Sequence, residues 1–276
     1  MHSARLDRAK RAVIYLSSAL IPPLMFGTLT AISNFKSLML REKPASLELP
    51  HPLPEVRFRP GKLKAAILVS NDGSQITDVL GPYALLAESG AFDVYTVAAR
   101  RELSSTTGDL ALLPDFSFQE APQADLLVIP ALLEPGYPPV IDWVKKQAAG
   151  ARTVLSVCEG ARVAAQAGLF EGREATSHFI SLPQLRERHP GVRWTDDRRV
   201  VVAGPDRISS AGITASLDGT LAAIEKLAGP EAAARAPARA PGLEPRPRSS
   251  RPSQNPGVRW RGQPGRLGPA LPARGL

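Results

Sequence analysis

A single cysteine, Cys158, among 276 residues rules out an intramolecular disulfide framework. Heptads, zinc-ligand spacings, phosphate-binding loops and internal repeats are also missing. The sequence therefore gives no ground for a coiled coil, a structural metal, P-loop chemistry or a solenoid. No metal and no cofactor is expected. The net charge of +8 is not carried by the middle of the chain: residues 1 to 64 sum to +7, residues 65 to 229 to −6 and residues 230 to 276 to +7. An acidic centre with basic ends does not support specific nucleic-acid binding.

The ends read as attachments. Residues 1 to 11 hold Arg5, Arg8, Lys10 and Arg11, and residues 12 to 32 then run without a charged side chain, long enough to cross a bilayer. Pro22-Pro23 and Gly27 interrupt this run, which membrane helices tolerate. An uncleaved anchor is the preferred reading. A cleaved signal peptide is the rival, although Thr30-Ala31-Ile32-Ser33 makes a poor cleavage site. The charge bias across the span is slight and favours a domain on the non-cytoplasmic side. Residues 33 to 63, with Pro44, Pro50, Pro52, Pro54 and Pro60, suit an extended linker. Residues 230 to 276, rich in Arg, Pro and Gly, are expected to be disordered.

Residues 64 to 229 alternate strand and helix patterns. Lys64–Ser70, Phe92–Ala98 and Asp125–Pro130 read as strands, Val79–Ser89 and Pro139–Ala149 as helices, and Leu103–Leu113 as a hairpin excursion. Leu182–Arg188 is a short helix, Val200–Ala203 and Arg207–Ser210 are short strands, and Thr214–Leu227 is a last amphipathic helix. The alternation implies a mostly parallel sheet covered on both faces, with reactive groups at the carboxyl ends of its strands.

Thr153 to Phe179 is the chemical centre. A β-branched strand leads into Cys158 and a helix begins near Ala161, so the cysteine falls on a strand-to-helix turn that Gly160 allows to close. A thiol there is expected to face outward, with its thiolate favoured by the helix N-terminus. The competing reading is a small buried hydrophobe. Glu159 would raise or lower the thiol pKa according to where its carboxylate points, and Arg162 is its natural partner. His178 is a candidate base or charge partner.

Four stretches carry a resemblance to a known family: ITDVLGPYALL from Ile76, DLLVIPA from Asp125, SVCEGARVAAQAGLFEGREATSHF from Ser156 and ISSAGITASLDGTLAAIEKL from Ile208. Together they resemble the DJ-1/PfpI family of the class I glutamine-amidotransferase-like superfamily. Within it they look most like the domains of AraC-type regulators and isonitrile hydratases. The resemblance implies a flavodoxin-like α/β sandwich in which Cys158, His178 and Asp78 share one pocket. Many relatives follow the third strand with Pro-Gly-Gly, whose N–H groups form an oxyanion hole; Pro130, Ala131 and Leu132 stand here. Glu159 replaces a small residue beside the nucleophile, and Ala84 stands where relatives often have Glu.

Two classes of function follow. One is a cysteine-dependent hydrolase or hydratase acting on a small carbonyl or carbon–nitrogen substrate, with Cys158, His178 and Asp78 catalytic and Glu159, Gly160, Ala131 and Leu132 forming the substrate or oxyanion pocket. The other is a non-catalytic domain that senses a small molecule, without the DNA-binding module of AraC-type regulators. A small-molecule ligand and the membrane are the expected partners, and a homodimer is compatible with both readings.

Overall fold

The computed structural model describes residues 56–239. The basic N-terminus (residues 1 to 11), the anchor (12 to 32), the linker as far as residue 55 and, of the disordered tail expected over 230 to 276, residues 240 to 276 lie outside the described residues. No helix among the described residues is long and apolar enough to cross a membrane.

Seven strands form one sheet in the order β10-β11-β7-β6-β1-β2-β5. They are β1 (Leu63–Leu68), β2 (Phe92–Ala98), β5 (Phe116–Ser117), β6 (Leu126–Ile129), β7 (Thr153–Val157), β10 (Val200–Ala203) and β11 (Arg207–Ser210). All pairings are parallel except β10 with β11, which forms an antiparallel edge. The expected hairpin excursion is present as β3 (Ser104–Ser105) pairing antiparallel with β4 (Ala111–Leu112). A small parallel pair that the sequence reading missed, β8 (Glu174–Ala175) with β9 (Arg193–Trp194), lies outside the main sheet. Strands of two residues carry too little periodicity to be read from sequence.

Helices cover both faces because the strands are apolar on both. β1 sends Ala65 and Ile67 to one face, against Val79, Leu85 and Ile224 of α1 (Ile76–Glu88) and α5 (Ala215–Ala228). It sends Ala66 and Leu68 to the other, against Trp143, Val144, Ala161 and Val163 of α2 (Pro138–Gly150) and α3 (Gly160–Gln166). A run apolar at every position is the mark of a strand buried on both sides. A further short helix, α4 (Leu182–Arg188), follows β8.

The fold extends past both boundaries expected for it. Val56 and Phe58, placed in the linker by sequence, pack on the core, with the Phe58 ring 5.6 Å from Tyr95 in an edge-on contact. Arg59 binds the Asp93 carboxylate through its backbone N–H and its guanidinium. At the other end the chain does not lose its order at Gly229: α6 (Pro230–Arg239) lies on α1 and α5 with Ala232 and Ala236 buried. Proline at the first helical position and alanines four apart supply this helix. A search for large aliphatic residues passes over such an alanine face.

Candidate active site

β7 is buried along its whole length and ends at Cys158, the one non-glycine residue with positive φ among those described, at +56°. Such a backbone costs of order 1–3 kcal/mol and persists only where neighbours over-determine it. They do so here. The Cys158 N–H donates to the Ser210 carbonyl at 2.9 Å, across the β7–β11 ladder. The Cys158 carbonyl accepts the Ser177 hydroxyl at 3.0 Å. Gly160 begins α3 against the end of β6, where an added Cβ would overlap the Ile129 carbonyl and sit 2.8 Å from the Pro130 oxygen. Only glycine permits this approach, which gives Gly160 a structural role in closing the turn.

The thiol formed by this turn does not face outward as expected; Cys158 is 6% exposed. The Glu159 N–H donates toward its sulfur, and the Asp78 carboxyl meets it from α1. Burial raises the thiol well above its ordinary range, and the Asp78 charge and the Glu159 carboxylate raise it further against the pull of the Glu159 N–H. The shift runs opposite to the one expected from the helix N-terminus. A seven-residue helix contributes a modest positive potential, and desolvation with two nearby carboxylates exceeds it.

Asp78 lies in the first turn of α1 and is completely buried. Its Oδ2 accepts the Ala131 N–H at 3.4 Å, while Oδ1 has no partner of standard hydrogen-bond geometry. Desolvation lifts its pKa to about 6, opposed by the Ala131 N–H and the Cys158 thiol and assisted by Glu159. Asp78 therefore titrates near neutrality, where a general base is most useful.

The segment after β6 that carries Ala131 and Leu132 is bonded on both sides of Leu132. The Ala131 N–H is engaged by Asp78, the Gln75 N–H donates to the Ala131 carbonyl at 3.0 Å, and the Leu133 N–H donates to Gly73 at 3.0 Å. The segment is thus zipped to the loop after β1, and the Leu132 side chain belongs to the core. Glu159 stands at the N-cap position of α3 without a side-chain capping bond and pairs with Arg162 at 3.5 Å, and Arg162 also bonds Gln184 of α4.

His178 stands on a different wall. Its carbonyl accepts the Ser181 N–H at 3.0 Å and the Ser181 hydroxyl at 2.9 Å, closing a turn, and its ring lies 4.6 Å from that of Phe179. No hydrogen bond joins its imidazole to Cys158 among the described residues. It lines a cleft of about 370 Å³ with Thr176, Ser177, Leu182, Gly212 and Ile213. Because the Ser177 hydroxyl holds the Cys158 carbonyl, this cleft abuts the elbow. The structure thus brings Asp78 and Cys158 together and sets His178 in the adjoining cleft. Sequence reasoning missed the roles of Ser177 and Ser210, which fix the strained turn; Ser177 stood beside the histidine of interest and Ser210 at the end of a segment read only as a short strand.

A mostly parallel sheet covered by helices on both faces, with a buried cysteine on the strained turn after β7, defines a protein of the α/β sandwich class. The chain belongs to the DJ-1/PfpI family, whose pattern it matches over residues 63–226. It is 34% identical to the isonitrile hydratase of Pseudomonas putida over 169 residues, covering 58% of this chain and 70% of that enzyme. It is also 34% identical to the HTH-type transcriptional regulator CdhR of Pseudomonas aeruginosa over 122 residues, 43% of this chain and 36% of the regulator. Among solved structures, a THiJ/PfpI family protein of Pseudomonas syringae superposes with TM-score 0.60 at 26% identity, covering 73% of this chain and 86% of its own. Drosophila melanogaster DJ-1beta does so with TM-score 0.57 at 23% identity, over 63% and 95%, and bears on the fold alone.

Proposed function

We propose that the domain is a cysteine-dependent hydratase or hydrolase acting on a small carbon–nitrogen or carbonyl substrate, with Asp78 as the proton-transfer partner of Cys158. The observation that carries this reading is the wholly buried Asp78 carboxyl held against a thiol on a strained turn. A carboxyl with a pKa near 6 is ionised at neutral pH, so it can take the S–H proton while the sulfur forms its bond to the electrophilic carbon. Burial then favours the protonated carboxyl, which returns the proton to the adduct; water adds at the same carbon and the thiol leaves. On an isonitrile this sequence adds one water and yields the N-substituted formamide. His178, on the cleft wall, borders the space for the substituent and the incoming water.

The experiment is incubation of the full chain with an alkyl isonitrile, followed by NMR detection of the formamide, beside the Cys158→Ala and Asp78→Asn variants. Turnover lost in both variants supports the reading. Turnover that survives Cys158→Ala refutes it.

A second reading is a sensing domain that binds a small molecule without turnover. It draws on the engaged Ala131 N–H, which leaves the expected oxyanion donor occupied, and on the similarity to a transcriptional regulator. Saturable binding of a ligand by Cys158→Ala, with no turnover by the wild type, would favour it. For both readings we propose that residues 12 to 32 anchor the domain to a membrane on its non-cytoplasmic side, on the charge and apolar length of that segment. Release of the intact chain by a high-pH carbonate wash would refute the anchor.

A further inference from the structure

We infer that Glu159 makes this site selective for electrically neutral electrophiles by excluding anionic ones. The inference rests on Cys158 being the reactive group but not on which reaction it performs. Glu159 follows the nucleophile directly, and its N–H is the one that points toward the sulfur. Its side chain is 35% exposed, while the thiol behind it is 6% exposed, so the carboxylate stands nearer solvent than the sulfur does. The charged groups acting on the thiol are two carboxylates, Asp78 and Glu159. Asp78 is in turn raised by Glu159.

Arg162, the cation paired with Glu159, does not reverse this balance. Its guanidinium is shared between Glu159 at 3.5 Å and Gln184 of α4, which holds it on the flank of α3. The imidazole of His178 makes no hydrogen bond to the thiol or to Asp78. A substrate carrying a carboxylate or phosphate would bring a third negative charge to a site with low water access, where like charges repel strongly. A neutral isonitrile, nitrile, amide or aldehyde meets no such opposition. Glu159 is thus a specificity-determining residue, and Arg162 attenuates its field.

Cys158 is the chain's only cysteine, so alkylation of the native full-length protein reads this site alone. Rates with iodoacetamide and with iodoacetate are measured and each is divided by the rate with 2-mercaptoethanol. The wild type is expected to favour the neutral reagent by about tenfold or more at low salt. Glu159→Gln should reduce that preference by about threefold or more, Glu159→Asp should retain most of it, and Arg162→Gln should widen it. Raising ionic strength should narrow it in the wild type. Equal preference in wild type and Glu159→Gln, a change that affects both reagents alike, or no labelling of the native chain by either reagent would each overturn the inference. Absence of isonitrile turnover with the preference intact would instead reject the hydratase reading and leave the charge selection standing.

Discussion

The Asp78 carboxyl is sealed behind the Cys158 thiol, with one oxygen on the Ala131 N–H and the other without a partner of standard geometry. This arrangement puts activity and stability in opposition.

Because the folded-state pKa of Asp78, about 6, lies above its ordinary 3.8, the folded protein holds the proton more tightly than the unfolded chain does. Stability therefore falls as pH rises from about 4 to about 6 and stays lower above that window. A shift of this size corresponds to roughly 3 kcal/mol at pH 8. Asp78→Asn, which mimics the protonated form, should unfold at higher denaturant concentration than wild type at pH 8, with the gap closing below pH 4. Urea titrations across this range test it; a variant destabilised at pH 8 would mean that the carboxylate is better solvated than its burial implies.

The thiol itself should behave unlike an activated cysteine. Burial and the two carboxylates raise it, so the alkylation rate of Cys158 should keep climbing with pH beyond the free-thiol value of about 8.5. Asp78→Asn removes one of the two charges and should increase the rate at pH 8. A plateau below pH 8 in the wild type would restore the thiolate expected from the turn alone.

Gly160 and Gly168 separate crowding from backbone strain. An added Cβ at Gly160 runs into the backbone of Ile129 and Pro130, whereas at Gly168, with φ of +74°, nothing lies within 4 Å. Gly168→Ala should cost about 1–2 kcal/mol, the left-handed penalty alone. Gly160→Ala should cost about 3 kcal/mol or more, since backbone atoms cannot move aside as side chains do. Equal midpoints in chemical denaturation would contradict the close approach at the elbow.

Much of this was legible in sequence because it is written in periodicity and turn chemistry. The apolar runs of β1, β6 and β7 and the Cys158–Gly160 turn gave the sheet and the elbow. Alanine-based packing and side-chain direction were not legible. α6 holds its place through Ala232 and Ala236, which a search for aliphatic stripes ignores. The charge state of Cys158 depends on Asp78 arriving from a distant helix and on the charge of Glu159 beside it, and local sequence does not encode the first. The engagement of the Ala131 N–H with Asp78 follows only from three-dimensional contact.

The roles of Asp78 and His178 can be told apart by substitution. His178 was the candidate base and Asp78 was expected to share its pocket, but Asp78 contacts the thiol, whereas the imidazole faces the cleft beside Gly212 without a hydrogen bond to the sulfur. If the carboxyl carries the proton, Asp78→Asn should lower kcat by about 10²-fold or more. His178→Ala should chiefly alter KM, through a cleft wall that has lost its ring, with kcat changed by less than about tenfold. The wild-type kcat/KM should rise as pH increases through about 6, as Asp78 ionises, and His178→Ala should keep that limb. Measured pH profiles with an alkyl isonitrile decide the matter. A His178→Ala variant that loses the limb near pH 6 and as much kcat as Asp78→Asn would assign the base to His178 and demote Asp78 to a structural carboxyl.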